Sequence, residues 1–276
     1  MELATVRSTN QSYLARDFAE LDDALREELR RDLICAGCGA DAYYVRPSRN
    51  GRPACFGARP HNEPCDLASQ TTDTSTVENL TAEEERAAKK DGFTLRGADA
   101  SAIGHTALDA PPVDSDRPGR SYTERDGAAR GSYPGLKLNR LLRLLVTVPS
   151  FGEERTVLHL ANGTRTTVRD YCAHMSRVDL EYRDRERVYW GTIRYAKAVD
   201  DGAWLNTGSK TEPSIRISNE MLGRLLDHWE LDSVDDLAGA AFALWGKIRR
   251  GRKAPDKMFL FVESLTSFVI IPEERI

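Results

Sequence analysis

Four residues near the start of the chain have the types and spacing to hold a metal ion. They are Cys35 and Cys38, separated by Ala36-Gly37, and the returning pair His61 and Cys65. Two thiolates on so short a loop converge on one ion, and Gly37 and Gly39 permit the tight turn. A following His and Cys complete a tetrahedral nitrogen and sulfur set, the geometry that Zn2+ accepts. Four protein ligands leave no open position, which predicts a structural zinc rather than a catalytic one. A fifth candidate, Cys55, precedes Phe56 in a stretch that reads as a strand. It is the alternative ligand if His61 turns away, and otherwise a thiol of the core.

A second constellation lies near the other end. Lys247, Arg249, Arg250, Arg252, Lys253 and Lys257 crowd into one connection that also holds Gly251 and Pro255. Like charges packed this closely repel, and an anionic partner such as a phosphate backbone relieves them. Upstream, the rings of Tyr189, Trp190, Tyr195 and Trp204, with Phe259 and Phe261 later, alternate with Arg194, Lys197 and Arg216. Proteins that bind single strands use this pairing, with rings stacking on bases and cations tracking phosphates. The expected contacts are therefore Arg194, Lys197, Trp204 and Arg216, together with the six cations of the basic connection. Trp190 and Trp204 are equally suited to filling a core. Nothing in this set reads base edges, so little base specificity is expected.

Constellations that would make an enzyme are weaker. Cys172 and His174 have the types of a nucleophile and base, but a buried thiol beside a solvated imidazole is the better reading. Asp179 and Glu181 would share a face of a strand and offer two carboxylates to a divalent ion. A nuclease of that kind wants a Lys where Arg183 stands, and a guanidinium does not give up its proton. No glycine-rich phosphate loop, Ser-His-Asp order or His-Glu-x-x-His is present in the sequence. The chain reads as a non-enzyme, with a metal-dependent nuclease as the lesser alternative.

The elements that must position these residues follow from periodicity. Residues 188–197 read as a strand, 203–206 as a second and 214–217 as a third. Ser218 then caps a helix in which Met221, Leu222, Leu225, Leu226 and Trp229 recur at helical spacing. Residues 240–249 and 258–262 return to strands. Three strands, a helix and two strands is the order of an OB-fold, and the basic connection falls between its last two strands, at one wall of the ligand groove. Ahead of it, Leu138, Leu141, Leu142 and Leu145 mark a helix that ends before Pro149, and residues 156–160 and 164–168 flank the turn Ala161-Asn162-Gly163 as a hairpin. Residues 171–177 predict a further short helix. At the N-terminus, Leu14, Phe18, Leu21, Leu25, Leu29 and Leu33 predict one amphipathic helix over residues 11–33. Residues 42–46 and 52–56 predict two strands between the cysteine pairs.

This layout, Cys-x2-Cys, a hairpin with an aromatic strand, then His and Cys, resembles the zinc ribbon at the head of competence-protein (CoiA-like) families. The resemblance covers residues 33–68. In those families a nuclease domain follows the ribbon, so the resemblance implies the handling of DNA, in processing or defence. It carries no catalytic residue onto this chain.

Composition sets the outer limits. The 276 residues carry 39 Lys and Arg against 43 Asp and Glu, a net charge of −4, so any contact with nucleic acid must be local. Most of the net negative charge lies in residues 66–135, which hold 8 basic against 13 acidic residues. Four of the 5 cysteines fall within residues 35–65, which suits a metal in a reducing compartment better than a disulfide framework. No apolar run is long enough to span a membrane, and the N-terminus lacks a secretory layout, so a cytoplasmic location is expected. The expected architecture is mixed α/β (α+β) in four parts: an N-terminal helix and zinc ribbon (1–68), a flexible acidic linker (69–135), a helix-hairpin extension (136–187) and an OB-fold-like antiparallel β-barrel (188–276). The expected cofactor is Zn2+, and the expected partner is single-stranded DNA or RNA. The rival is an assembly subunit that binds protein through barrel and linker.

Overall fold

The computed structural model describes residues 1–47, 52–58, 61–62, 65–67, 92–98, 133–148, 151, 155–208, 212–251 and 257–275. It is an α+β fold of several small sheets with five helices among the described residues.

The N-terminal unit is a sheet and a hairpin around one aromatic core. Strands β1 (Leu3–Val6), β2 (Gln11–Leu14) and β3 (Leu33–Cys35) pair in the order β2-β1-β3. Helices α1 (Ala15–Ala19) and α2 (Asp23–Leu29) bridge β2 and β3. The single helix expected over residues 11–33 is thus corrected to a strand, two short helices and a strand. Asp22 explains the restart: its side chain accepts from the Ala24 N–H and caps α2. Strands β4 (Ala42–Val45) and β5 (Cys55–Ala58) form the expected hairpin, with Val45 opposite Cys55. Phe18, Tyr44 and Phe56 meet at its centre with ring centroids 5.0–5.8 Å apart.

The next sheet lies partly inside the stretch expected to be linker. Strands β6 (Phe93–Arg96), β7 (Gly135–Lys137), β8 (Val157–His159) and β9 (Arg165–Thr167) pair in the order β7-β6-β8-β9. β6 is a correction to a wholly flexible linker. Phe93 and Leu95 alternate with Thr94 and Arg96, so the strand buries two apolar side chains on one face. Residues 68–91 and 99–132 of that stretch lie outside the described residues. Helix α3 (Leu138–Thr147) lays Leu138, Leu141, Leu142 and Leu145 against this sheet, all buried. The hairpin β8–β9 turns as expected, with Gly163 at φ 83°. The helix expected over 171–177 is corrected: helix α4 covers Val168–Tyr171, β10 (Cys172–His174) follows, and Met175–Arg177 is one 3-10 turn.

The C-terminal strands are β11 (Glu186–Thr192), β12 (Tyr195–Val199), β13 (Gly202–Asn206) and β14 (Ser214–Ser218). Helix α5 (Asn219–Trp229) comes next, capped by Ser218, whose hydroxyl accepts from the Met221 N–H. Strands β15 (Ala241–Lys247), β16 (Arg249–Arg250), β17 (Met258–Phe261) and β18 (Phe268–Ile271) complete the chain. They form two sheets, β10-β11-β15-β18 and β12-β13-β14-β17-β16, rather than the single closed antiparallel barrel expected. The reason is visible at two corners. The long strand expected over 188–197 breaks at Ile193-Arg194, where the Ile193 N–H bonds Ala240 and the next N–H, of Arg194, bonds Asn206. The ladder therefore changes partner from β15 to β13 within one residue. β15 and β16 make the matching switch at Ile248, leaving β11 for β17. Two pairings, β10 with β11 and β14 with β17, are parallel.

Between the two sheets lies an apolar interior that includes Tyr189, Ile193, Leu205, Ile215, Ile217, Phe242, Leu244, Leu260 and Phe268, roofed by Leu222 and Leu225 of α5. The sheet containing β15 is buried on both faces, since Val188, Ala243 and Val269 turn the other way, toward α3. That explains the near-continuous apolar runs of β15 and β18.

Candidate functional site

The candidate metal centre is built by β3, the turn after it and the segment following β5. The Cys35 N–H bonds the Ala40 carbonyl at 2.7 Å and the Gly39 N–H bonds the Cys35 carbonyl at 2.9 Å, closing a knuckle around Cys38. Gly39 holds φ 67°, the left-handed conformation that side chains resist. Gly37 leaves room for Cys65, whose Sγ would lie 3.2 Å from a Cβ at that position. The ligand atoms of Cys35, Cys38, His61 and Cys65 all lie within 4.8 Å of one another and can hold a metal ion. Cys35 Sγ is 3.7 Å from Cys65 Sγ, and Cys38 Sγ is 3.4 Å from His61 Nδ1. A tetrahedron with metal–sulfur bonds of about 2.3 Å and metal–nitrogen bonds of about 2.0 Å separates its corners by about 3.5–3.8 Å. The donor set therefore fits an ion of zinc's size at its centre.

The thiols are prepared unequally. Burial opposes ionisation of Cys38, but the Ala40 backbone, His61 and the Asn62 backbone hold its thiol down to about 6. Burial pushes the Cys35 thiol up, a cost that a dication offsets. Asn62 Nδ2 donates to the Cys38 carbonyl at 3.0 Å and ties the returning segment to the knuckle. Cys55 stands apart on β5, where burial raises its thiol. It is not among the clustered ligands.

Three residues past Cys38, Asp41 reaches across to the corner where β11 becomes β12. It pairs with Arg194 and with Arg7. Burial works against its ionisation, yet the Arg194 guanidinium, then that of Arg7, holds the carboxyl below its ordinary range. Three further bridges fasten the same units. Arg30 and Arg46 meet Asp235, at 3.1 Å and 3.4 Å, and Arg52 meets Glu273 at 3.0 Å. The metal-binding unit is therefore docked on the C-terminal strands. Arg194, expected as a phosphate contact, pairs with Asp41 and joins the two units. Asp41, Asp235 and Arg30 gave no signal in sequence, since their partners lie more than 150 residues away.

On the sheet β12-β13-β14-β17-β16, one face is the apolar interior and the other points outward. The register places Lys197 opposite Trp204, Trp204 opposite Arg216, and Arg216 opposite Phe261, an in-line row across four strands. The Arg216 guanidinium lies over the Trp204 ring at 5.4 Å, and Phe259 packs on that ring's neighbourhood at 5.1 Å between centroids. Arg216, expected as a phosphate contact, is held there by Asp201 and the Ala203 carbonyl. Arg249 covers Phe261 at 5.7 Å and pairs with Glu263 at 2.6 Å. Phe261 stays 40% exposed. Lys197, Arg250 and Lys257 are exposed, and Lys247 is 3.9 Å from Glu186. Arg252 and Lys253 lie outside the described residues.

No family model matches the chain, and no curated protein matches its sequence. Geometry alone therefore carries the functional reading.

The enzymatic constellations dissolve in the structure. Cys172 is buried, and burial pushes its thiol up to about 12, so it is no nucleophile at neutral pH. His174 packs edge-on against Trp190 at 4.6 Å and its Nδ1 is 2.7 Å from the Ser176 hydroxyl. Burial, then Arg177 and Arg194, lowers its pKa to about 4. Asp179 and Glu181 do not share a strand: residues 180–182 form a 3-10 turn, whose Glu181 N–H is capped by Asp179 at 2.9 Å.

Proposed function

We propose that this chain is a non-enzymatic protein that binds single-stranded DNA or RNA on the outward face of its five-stranded sheet, with a structural zinc in the Cys3His centre. The observation that carries the reading is the row Lys197, Trp204, Arg216 and Phe261, held in register across four adjacent strands. Such a surface offers flat rings to bases and cations at its margin to phosphates, and every base has a face to stack. Of the six Lys and Arg from Lys247 to Lys257, Arg249 and Arg250 form the edge strand β16 of the same sheet.

We read these strands as an OB-type arrangement split at two corners. Support comes from the pairing: β11 with β15, β12 with β13, β13 with β14, β14 parallel to β17, and β17 with β16. In such folds the sheet face and the connection of the last two strands form the ligand groove. All five cysteines are free thiols, which suits a reducing, cytoplasmic setting. Among the described residues, no helix is long and apolar enough to cross a membrane.

The test is a salt titration of fluorescent single-stranded DNA and RNA with the full chain, beside Phe261→Ala and the pair Lys197→Ala with Arg250→Ala. Stacking is worth about 1–3 kcal/mol per base, so Phe261→Ala should weaken binding roughly 5- to 150-fold with an unchanged salt slope. The cation pair should instead flatten the slope. Binding that ignores both variants would place the site elsewhere. No binding to either polymer at low salt would leave the protein-adaptor reading.

A further inference from the structure

The sheet β7-β6-β8-β9 buries one face against α3 and turns the other outward, and that outward face has a chemistry of its own. Phe93, Leu95, Leu136 and Leu158 point inward. The alternate positions point out, and among the described residues of these strands none of them carries a carboxylate. Arg96, on an inner strand, stands directly opposite Lys137, and His159, on the other inner strand, stands opposite Arg165. Arg155 leads into β8 with the same parity as His159. Charges at sheet edges are commonplace guards against aggregation. Arg96 is not at an edge. The Arg96 side chain also lies flat across β7, since a Cβ at Gly135 would meet its Nε at 2.7 Å. Over the same sheet, Tyr133 and His159 stack in parallel, with ring centroids 3.7 Å apart and planes 6° from each other.

We infer that this outward face is a second nucleic-acid surface, one that holds the phosphate backbone of a strand continuing beyond the five-stranded sheet. The inference rests on the reading above that the chain binds a single strand. Its support is the recurrence, on a separate sheet, of rings flanked by cations, together with continuity between the two surfaces. The Ala98 N–H donates to the Thr266 carbonyl at 2.8 Å, which sets the Arg96 end of β6 against the segment leaving Phe261. An acidic protein segment would satisfy the charges but has no use for the stacked rings.

Two probes separate the surfaces: a fluorescent single-stranded oligomer of about 8 nucleotides, within the site size of one OB-type module, and one of about 30 nucleotides. The variant carries Arg96→Gln, Arg155→Gln and Arg165→Gln, with a control in which the same three become Lys. For the triple Gln variant, the short oligomer should bind within about twofold of the unaltered chain. The long one should bind at least about tenfold more weakly, with a salt slope smaller by about 2, since each phosphate no longer neutralised on a single strand lowers the slope by roughly 0.7. The Lys control should keep most of the long oligomer's affinity and its slope, which excludes misfolding as the cause. A long oligomer that binds the Gln variant as it binds the unaltered chain overturns the second surface and leaves the first standing. Failure of the short oligomer, with the long one still dependent on these arginines, leaves this surface standing and removes the first. Capture of polyglutamate in place of the long oligomer, lost in the Gln variant, overturns the inference in favour of an acidic protein partner.

Discussion

Replacing Asp41 by Asn tests whether the metal-binding unit is held on the strands by charge. The substitution keeps the shape and removes one charge from between two guanidiniums. Arg194 is 17% exposed, Asp41 26% and Arg7 51%, so the two pairs differ in weight. The pair with Arg7 is near the surface limit of about 0.2–1 kcal/mol. That with Arg194 is a charge-assisted, largely buried bond worth about 1.5–3 kcal/mol, and breaking it leaves a buried cation without its counter-charge. The expected loss at neutral pH is about 2–3 kcal/mol after allowing for solvent screening. Thermal unfolding should show it as a midpoint roughly 4–8 °C lower. The sign of its pH dependence follows from the direction of the shift. The Asp41 carboxyl is held below its ordinary range in the fold, so its contribution is fully present above the unfolded value of about 3.9 and is lost as pH falls through the folded value. The gap between the unaltered chain and Asp41→Asn should therefore be full at pH 7 and narrow below about pH 4. A gap that is the same at pH 7 and pH 3, or absent at both, refutes the charge argument.

Three other outcomes are expected. Native mass spectrometry should find one zinc in the unaltered chain and in Cys55→Ser, and none in Cys38→Ser; loss from Cys55→Ser would redraw the ligand set. Gly202→Ala should cost about 2–4 kcal/mol in chemical unfolding, because Gly202 sits at φ 143° and a Cβ there would lie 2.0 Å from the Ile217 carbonyl; an unchanged midpoint would contradict the close approach of β13 and β14. With its thiol pushed up to about 12, Cys172 is roughly one part in ten thousand thiolate at pH 8, so maleimide should leave it unmodified until the chain unfolds, and labelling of the native chain would show it accessible.

The residues that declare themselves in sequence are those whose neighbours are local. Cys35 and Cys38 share one turn, Leu138 to Leu145 share one helix face, and Gly163 makes its own hairpin, so each is legible. The metal set is legible for the same reason, with His61 rather than Cys55 as its third member in order. Breaks in long patterns are not. Residues 188–197 look like one strand because Ile193 and Arg194 fit a strand, and the switch of partner depends on Ala240 and Asn206, which only the fold brings near. The stripe from Leu14 to Leu33 satisfies a helical period while Asp22 divides it. Arg194 and Arg216 read as phosphate contacts because sequence shows a charge and hides its partner, here Asp41 and Asp201. β6 is lost inside an acidic stretch because four residues are too few to outweigh the composition around them.

The docking bridges join the two ends of the chain. Arg30 and Asp235 are 205 residues apart, and Arg52 and Glu273 are 221 apart. During synthesis at about 5–20 residues per second, the surface that Arg30, Arg46 and Arg52 will cover takes roughly 10–40 s to emerge after them. Through that interval Arg30, whose side chain is only 10% exposed in the finished fold, stands in water without Asp235. The metal knuckle is local enough to close early, but its seat is made last. Assembly of this protein is thus paced by the arrival of its C-terminal strands, and a ribosome pausing after residue 200 would hold a finished metal-binding unit with nothing yet to dock on.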